Sequence, residues 1–307
     1  MATLNYATQY SRELASTFPY TLYFGDLWNA VKPEVKFTDN DTIKIPKLKT
    51  TGRKNGNRDN ITAFSRNFDN DWETKQLKTH RTWDTLLHPR DVDETNHVAT
   101  IANITKTMNE TEKFPEMDAE AVDSIYKYKN ELEPIIAKTK GYVTKTNVLS
   151  EFDALMDKMD EARVPTTGRI LYADTFTKTL IDQAIDEYRR LGSTDTSVAR
   201  AIGRIGEVEI KSVPTSAMKS AYKFYTGDET EGKNNGFEAV DTAKDIKLFL
   251  IHPVAVIPAI VYEFAELGEP SSLSKGKWTY FEESFEDMFI YNERHAAIQF
   301  LVENPAA

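Results

Sequence analysis

The first ninety residues carry too little patterned apolar surface to close a core of their own. Over the opening forty, aromatic residues (Tyr6, Tyr10, Phe18, Tyr20, Tyr23, Phe24, Trp28) mix with polar ones in neither a helical nor a strand period. That segment reads as an arm whose rings need another surface. Thr42-Ile43-Lys44-Ile45-Pro46-Lys47-Leu48-Lys49 then alternates apolar and basic residues, the pattern of a strand with one wet face, and Pro46 places it at a sheet edge. Thr51 to Asn60 is turn-rich and contains an Asn-Gly pair, and Trp72 to Leu87 resumes extended character. Together they form a long two-stranded excursion, marginal in water unless something covers it.

The core must come from the later residues, and 307 positions leave ample chain for one large domain or two ordinary ones. Val98, Ile101, Ala102, Thr105 and Met108 share a helical face, Phe114-Pro115 interrupts the run, and Asp118 caps a second helix with the stripe Ala121, Val122, Ile125 and Tyr126. Leu149, Phe152, Leu155, Met156 and Met159 form an amphipathic helix, Arg169 to Tyr172 a short strand, and Phe176, Leu180, Ile181, Ala184, Ile185 and Tyr188 another helix. Glu207 to Val213 alternates as a half-buried strand, and Thr226 to Gly236 is a polar loop. Ile246 to Ile251 is a buried strand leading into a helix at Pro253, and three more strands come after it at Lys277–Phe281, Met288–Tyr291 and Ala296–Val302. The class is α+β.

Charge and residue types narrow the chemistry. With no cysteine, thiolate catalysis, disulfides and Cys-based metal sites are excluded, and the five histidines show no metal-ligand spacing. No cofactor motif is present: Gly203-Arg204-Ile205-Gly206 lacks the Gly-Lys-Ser/Thr ending and the three-glycine dinucleotide pattern, and there is no Gly-x-Ser-x-Gly elbow. Glu282, Glu283, Glu286 and Asp287 are the acids on which a hydrolase would be built, but neighbouring positions of an extended chain point to opposite faces, giving a solvated acidic strip. The net charge of −10 argues against a dedicated DNA binder. It is unevenly spread: residues 43–90 hold eleven Lys and Arg against five acids, and residues 260–307 hold nine acids against three bases. No apolar stretch is long enough to span a bilayer and the first residues lack a secretory leader, so the chain is expected to stay in the cytoplasm.

The order of motifs carries the most specific information. An aromatic arm, a basic two-stranded excursion, a helix ending in Phe114-Pro115-Glu116-Met117-Asp118, the segment Arg163-Val164-Pro165-Thr166-Thr167-Gly168-Arg169-Ile170-Leu171-Tyr172 and a late His252-Pro253-Val254-Ala255 succeed one another. This succession resembles the major capsid proteins of tailed bacteriophages, of the Hong Kong 97 fold type, and looks closest to those of phages infecting Gram-positive bacteria. Val164 to Arg169, His252 to Ala255 and Asp287-Met288-Phe289 match the family's helix-to-strand segment, late helix and closing Asp-x-Phe.

The resemblance implies an N-terminal arm at 1–40, an extended loop at 41–90, a peripheral domain with a spine helix at 91–140, an axial domain at 141–255 and peripheral return strands at 256–307. It implies a non-enzymatic structural protein of the virion capsid, assembled in the host cytoplasm as homo-pentamers and homo-hexamers around non-specifically held double-stranded DNA. A portal and a separate scaffolding protein are the expected partners, with no membrane and no cofactor. An encapsulin-type compartment is the structural alternative, and a carboxylate hydrolase the catalytic one. Phe18, Tyr20, Tyr23, Phe24 and Trp28 are expected to bury against other subunits. The loop residues Arg53, Lys54, Arg58, Arg66, Lys75 and Arg81 are expected to meet Glu282, Glu283, Glu286 and Asp287 between chains and not within one. Some relatives cross-link a loop Lys to a neighbour's Asn, for which Lys54 and Lys75 are candidates.

Overall fold

Strand alternation in a segment with one apolar row requires something to lie over that row, and the chain supplies it from residues more than two hundred positions away. The computed structural model describes residues 20–30, 36–39, 42–53, 66–94, 100–191, 204–205, 208–227 and 235–305. Within the arm a single helical turn, α1 (Gly25–Trp28), is followed by β1 (Lys36–Asp39). β2 (Thr42–Thr50) pairs along its whole length with β3 (Phe68–Gln76), and Ile43 and Ile45 on its inner row bury against Ile257, Ala259 and Phe289. Pro46 lies beyond Thr42–Lys44, the positions of β2 that pair with the described part of β1, and faces Trp72 of β3 on the other side. β4 (His80–Leu87) returns from the hairpin and leads to α2 (Pro89–Glu94).

α3 (Ile101–Met108), capped by the Thr100 hydroxyl, continues through a π turn at Asn109–Lys113 into α4 (Phe114–Leu132). Phe114-Pro115 therefore does not interrupt the helix, contrary to the sequence expectation. Proline lacks an N–H and crowds the carbonyl one turn back, and widening the preceding turn accommodates both defects. Asp118 consequently lies inside one continuous helix and is not a cap.

The remaining chain builds the central sheet. After α5 (Val148–Glu161) come β5 (Ile170–Asp174), α6 (Thr175–Leu191), β6 (Arg204–Ile205), β7 (Val208–Val213), and a small pair, β8 (Tyr222–Phe224) with β9 (Phe237–Ala239). β10 (Asp245–Ile251) is followed by β11 (Val256–Gly268), β12 (Trp278–Ile290) and β13 (Ile298–Glu303). The sheet order is β13-β10-β5-β7-β6, with β5 and β7 parallel across the α6 crossover. Both faces are covered, as the near-continuous apolar runs of these strands require. Leu171, Ala173, Leu248 and Leu250 face α5 and α6, while Ile170, Tyr172, Phe249 and Ile251 face α4 and the arm.

Two further expectations are corrected. The helix at Pro253 is a single 3-10 turn, Pro253–Ala255, after which the chain runs straight into β11, a strand the sequence pattern does not single out. Lys277–Phe281 and Met288–Tyr291 belong largely to one strand, β12, that pairs with both β11 and β4. The last strand joins β10 in the central sheet, so the segment 256–307 is divided between two sheets.

Candidate assembly interface

The extended hairpin is held at its base by one carboxylate. Asp287 accepts from the backbone N–H of Lys78 (2.6 Å) and Thr79 (3.2 Å) through one oxygen and from the Thr79 hydroxyl (2.9 Å) through the other. These residues are the corner where β3 turns into β4, so Asp287 sets the direction in which the hairpin leaves the body. An Asp287→Asn variant, with one acceptor oxygen in place of two, is expected to cleave faster with trypsin at Lys75, Lys78 and Arg81. The global unfolding free energy should fall by only about 1–2 kcal/mol. A cleavage pattern equal to wild type would show that the corner is held elsewhere.

Beside it, Glu120 accepts from Ser124 Oγ (2.9 Å) and lies 3.3 Å from the Thr79 hydroxyl. Burial raises its carboxyl to about 7, the Ser124 hydrogen bond opposes this, and the charges of Asp287 and Asp123 add to it. The folded value lies above the ordinary one, so the stability is complete below about pH 4.5 and declines as pH rises through 7. Glu120→Gln is expected to match wild type at pH 5 and exceed it by roughly 2–3 kcal/mol at pH 8. Urea denaturation at the two pH values measures this; a variant weaker than wild type at pH 8 would contradict it.

The acids of β12 do not form a solvated strip. Glu282, Glu286 and Asp287 are buried because α4 packs across the strand. Glu282 pairs with Lys113, Glu283 with His80 (2.7 Å), and the His80 ring stacks on Phe285 at 4.1 Å. Arg81 pairs with Glu116 and donates to the Tyr225 carbonyl at 2.7 Å. Burial nonetheless holds the Glu116 carboxyl above the usual range, with Arg81 opposing. Lys75 contacts Glu73 (2.9 Å) and Asn292 (3.0 Å), and Lys47 contacts Glu73 at 2.7 Å. Burial pushes the Glu73 carboxyl up, but the two lysines together bring it below its ordinary value. Within the subunit, then, Arg81, Lys75, Glu282, Glu283 and Asp287 already have partners of their own. A cleft of about 670 Å³ beside Arg81, Trp83, Lys113 and Tyr225 is lined by these internal pairs.

The hairpin leaves apolar and basic side chains exposed, with the acids Asp69 and Asp71 between them. Leu48, Phe68 and Trp72 are exposed, as are Arg53 and Arg66, whose guanidinium lies 4.6 Å from the Phe68 ring centre. Lys54 and Arg58 lie outside the described residues, as does Phe18 of the arm. The described arm rings are placed differently from expectation. Phe24 and Trp28 are buried within their own chain, Phe24 at 4.7 Å from the Tyr172 ring, because the turn of α1 seats between α4 and the central sheet. Tyr20 and Tyr23 remain half-exposed and pack edge to face at 5.1 Å.

Two motifs singled out in the sequence meet in space. Gly168, at φ +89°, lets the chain turn so that His252 Nε2 comes within 3.1 Å of the Thr167 carbonyl. Burial lowers the pKa of His252, with Arg169 contributing, while the hydrogen bond to Thr167 opposes this. Arg169 is fully buried and donates to the carbonyls of Pro165 (2.8 Å) and Val164 (2.6 Å) and to Asp160 (2.6 Å). Sequence reasoning missed the structural roles of Asp118, Glu120 and Glu303, the last receiving Gly141 and Val143 N–H groups. The available signal was acids embedded in an apolar helical stripe, as with Asp118 beside Val122 and Ile125.

No family model matches the chain, and no curated protein matches it. Solved structures do. The capsid of the cyanophage P-SCSP1u superimposes with a TM-score of 0.69 at 13% identity, over 98% of this chain and 94% of that one. The mature capsid of bacteriophage PhiM1 gives 0.63 at 12% identity over 97% and 91%, and the capsid of Ralstonia phage GP4 gives 0.59 at 10% over 98% and 96%. Mycobacterium, Gordonia and Microbacterium phages appear beside these, so the likeness selects no host group. Across nearly its whole length the chain has the fold of phage capsid subunits, the Hong Kong 97-type architecture implied by the order of its motifs.

Proposed function

We propose that this chain is a phage major capsid protein, which assembles with copies of itself into the pentamers and hexamers of an icosahedral shell around double-stranded DNA and catalyses no reaction. The carrying observation is the likeness to a capsid subunit over 98% of this chain and 94% of the other. The hairpin supports it independently. β3 is exposed along most of its length and carries Phe68 and Trp72 outward, an arrangement a lone subunit does not stabilise. A closed ring of identical subunits supplies the missing surface once per copy. Peripheral and axial regions, a portal, a scaffolding protein and assembly in the host cytoplasm belong to the same proposal. Among the described residues no helix is long and apolar enough to cross a membrane. Inter-subunit charge contacts in this reading fall to Arg53 and Arg66, and the apolar contacts to Leu48, Phe68 and Trp72.

Electron microscopy of the expressed protein tests the proposal. Uniform shells are expected, with trypsin sites at Arg53 and Arg66 protected relative to the free subunit. A protein that stays a 35.0 kDa monomer across salt and concentration would overturn it. Shells filled with protein cargo in place of DNA would point to a compartment.

A further inference from the structure

The described part of the arm is tied to the long helix through one buried carboxylate. Asp118 accepts from the Tyr20 hydroxyl (2.9 Å) and the backbone N–H of Tyr23 (2.8 Å) at one oxygen, and from the N–H of Phe24 (3.0 Å) at the other. All three donors belong to the arm, and among the described residues no Lys or Arg pairs with this acid. The carboxylate therefore sits at an interface between two segments about 95 positions apart, held only by neutral dipoles.

The groups facing it from the arm and the strands are phenols, and the acids nearby are paired or hydrogen-bonded. Tyr20 and Tyr23 come from the arm, Tyr172 from β5 and Tyr222 from β8, and burial keeps Tyr20, Tyr172 and Tyr222 protonated, well above the phenol range. Beyond Tyr172, Asp26 is neutralised by Lys211. On the helix itself, Glu116 is matched by Arg81, Glu120 faces Thr79 and Ser124, and Asp123 is matched by Lys127 while accepting from the Tyr222 N–H.

We infer that Asp118 is a proton-operated clasp on the arm: uptake of one proton tightens the seat of residues 20–28 against the helix, and loss of that proton loosens it. The inference concerns the subunit itself and stands whether or not the chain assembles. A neutral carboxyl keeps an acceptor for the amides and offers Tyr20 an O–H partner, without placing a bare charge between a helix and a sheet. Burial raises the docked carboxyl to about 6, against the opposing hydrogen bonds from Tyr23, Phe24 and Tyr20. With the arm released, the carboxyl meets water and returns to its ordinary value of 3.8. The docked state thus binds the proton more tightly, so docking is strongest in acid and weakens as pH rises through 6. Between pH 5 and 7.5 the docking constant falls about tenfold.

Hydrogen exchange at the Tyr23 and Phe24 amides, the two backbone donors, reads the clasp directly in the purified full-length chain. Rates are corrected for the intrinsic pH dependence of exchange and expressed relative to the amides of β10. Wild-type protection is expected to fall about tenfold from pH 5 to 7.5, Asp118→Asn to be flat, and Glu120→Gln to keep the wild-type slope. A wild-type ratio that is constant or rises with pH, or a slope retained in Asp118→Asn, overturns the inference. Should Asp118→Asn fail to fold, Tyr20→Phe removes one donor to the ionised carboxylate and must move the midpoint of the curve to higher pH. An unmoved midpoint also overturns it.

Discussion

Arg169→Ala is expected to be among the two most damaging single substitutions named for this subunit, costing about 2–4 kcal/mol of stability. The guanidinium is fully buried and satisfies the carbonyls of Pro165 and Val164 together with the half-exposed Asp160, so its removal empties a buried site and takes the donor from two carbonyls at the turn. These acceptors lie where α5 ends and β5 begins, the step that fixes the central strand under the helix. Arg169→Lys should recover little, because one ammonium cannot reproduce the planar fork that reaches all of them. Chemical denaturation measures both variants. A loss below about 1 kcal/mol for Arg169→Ala would mean that the turn holds itself.

Phe24→Ala is expected to cost about 3–5 kcal/mol in the isolated subunit, before any assembly step. Its ring is fully buried against Tyr172 and Phe249 in the largest apolar cluster, 4.7 and 6.1 Å from their centres. An arm that acts on neighbouring subunits, as its sequence suggests, would harm assembly first when lost. With Phe24, Leu27 and Trp28 all inside the core, deleting residues 1–30 should instead lower the melting temperature of the subunit itself. A normal melting temperature with failed assembly would return the arm to a role between subunits.

Where the sequence period is sharp, the structure obeys it. Leu149 to Met159 forms a helix, Ile170 to Tyr172 a strand, and Val208 to Val213 another, because each repeats apolar residues at the spacing that one buried face imposes. The pairing of Thr42–Lys49 with the later extended segment was legible for the same reason. β11 was not. Its apolar residues sit in an acidic context, and its regular partner is β12, a strand met only after a turn-rich interval. Pro115 shows the limit of a local rule: proline marks a helix end only if nothing upstream can widen to admit it, and here a π turn does.

The candidate interface divides in the same way. Basic and apolar alternation on the hairpin arises from its own residues, and Leu48, Phe68, Arg53 and Arg66 remain exposed. Glu282 and Asp287 gave no such local indication, since an acid on a strand is solvated or buried according to what crosses it. In this chain α4 crosses it, and Lys78 and Thr79 arrive from about 209 positions away to take up Asp287.

By itself, then, the sequence determined the class of fold, the sharply periodic helices and strands between Leu149 and Val213, the absence of cysteine chemistry, and the thin, weakly apolar character of the extended hairpin. These depend on spacing and residue type, which act over a few neighbouring positions. Tertiary structure alone decided which charges are buried, which rings belong to the core, and that Asp118 holds the arm and does not cap a helix. The free energy of a carboxylate depends on its solvation and on donors within about 3 Å. Those donors come from segments that only the folded chain brings together.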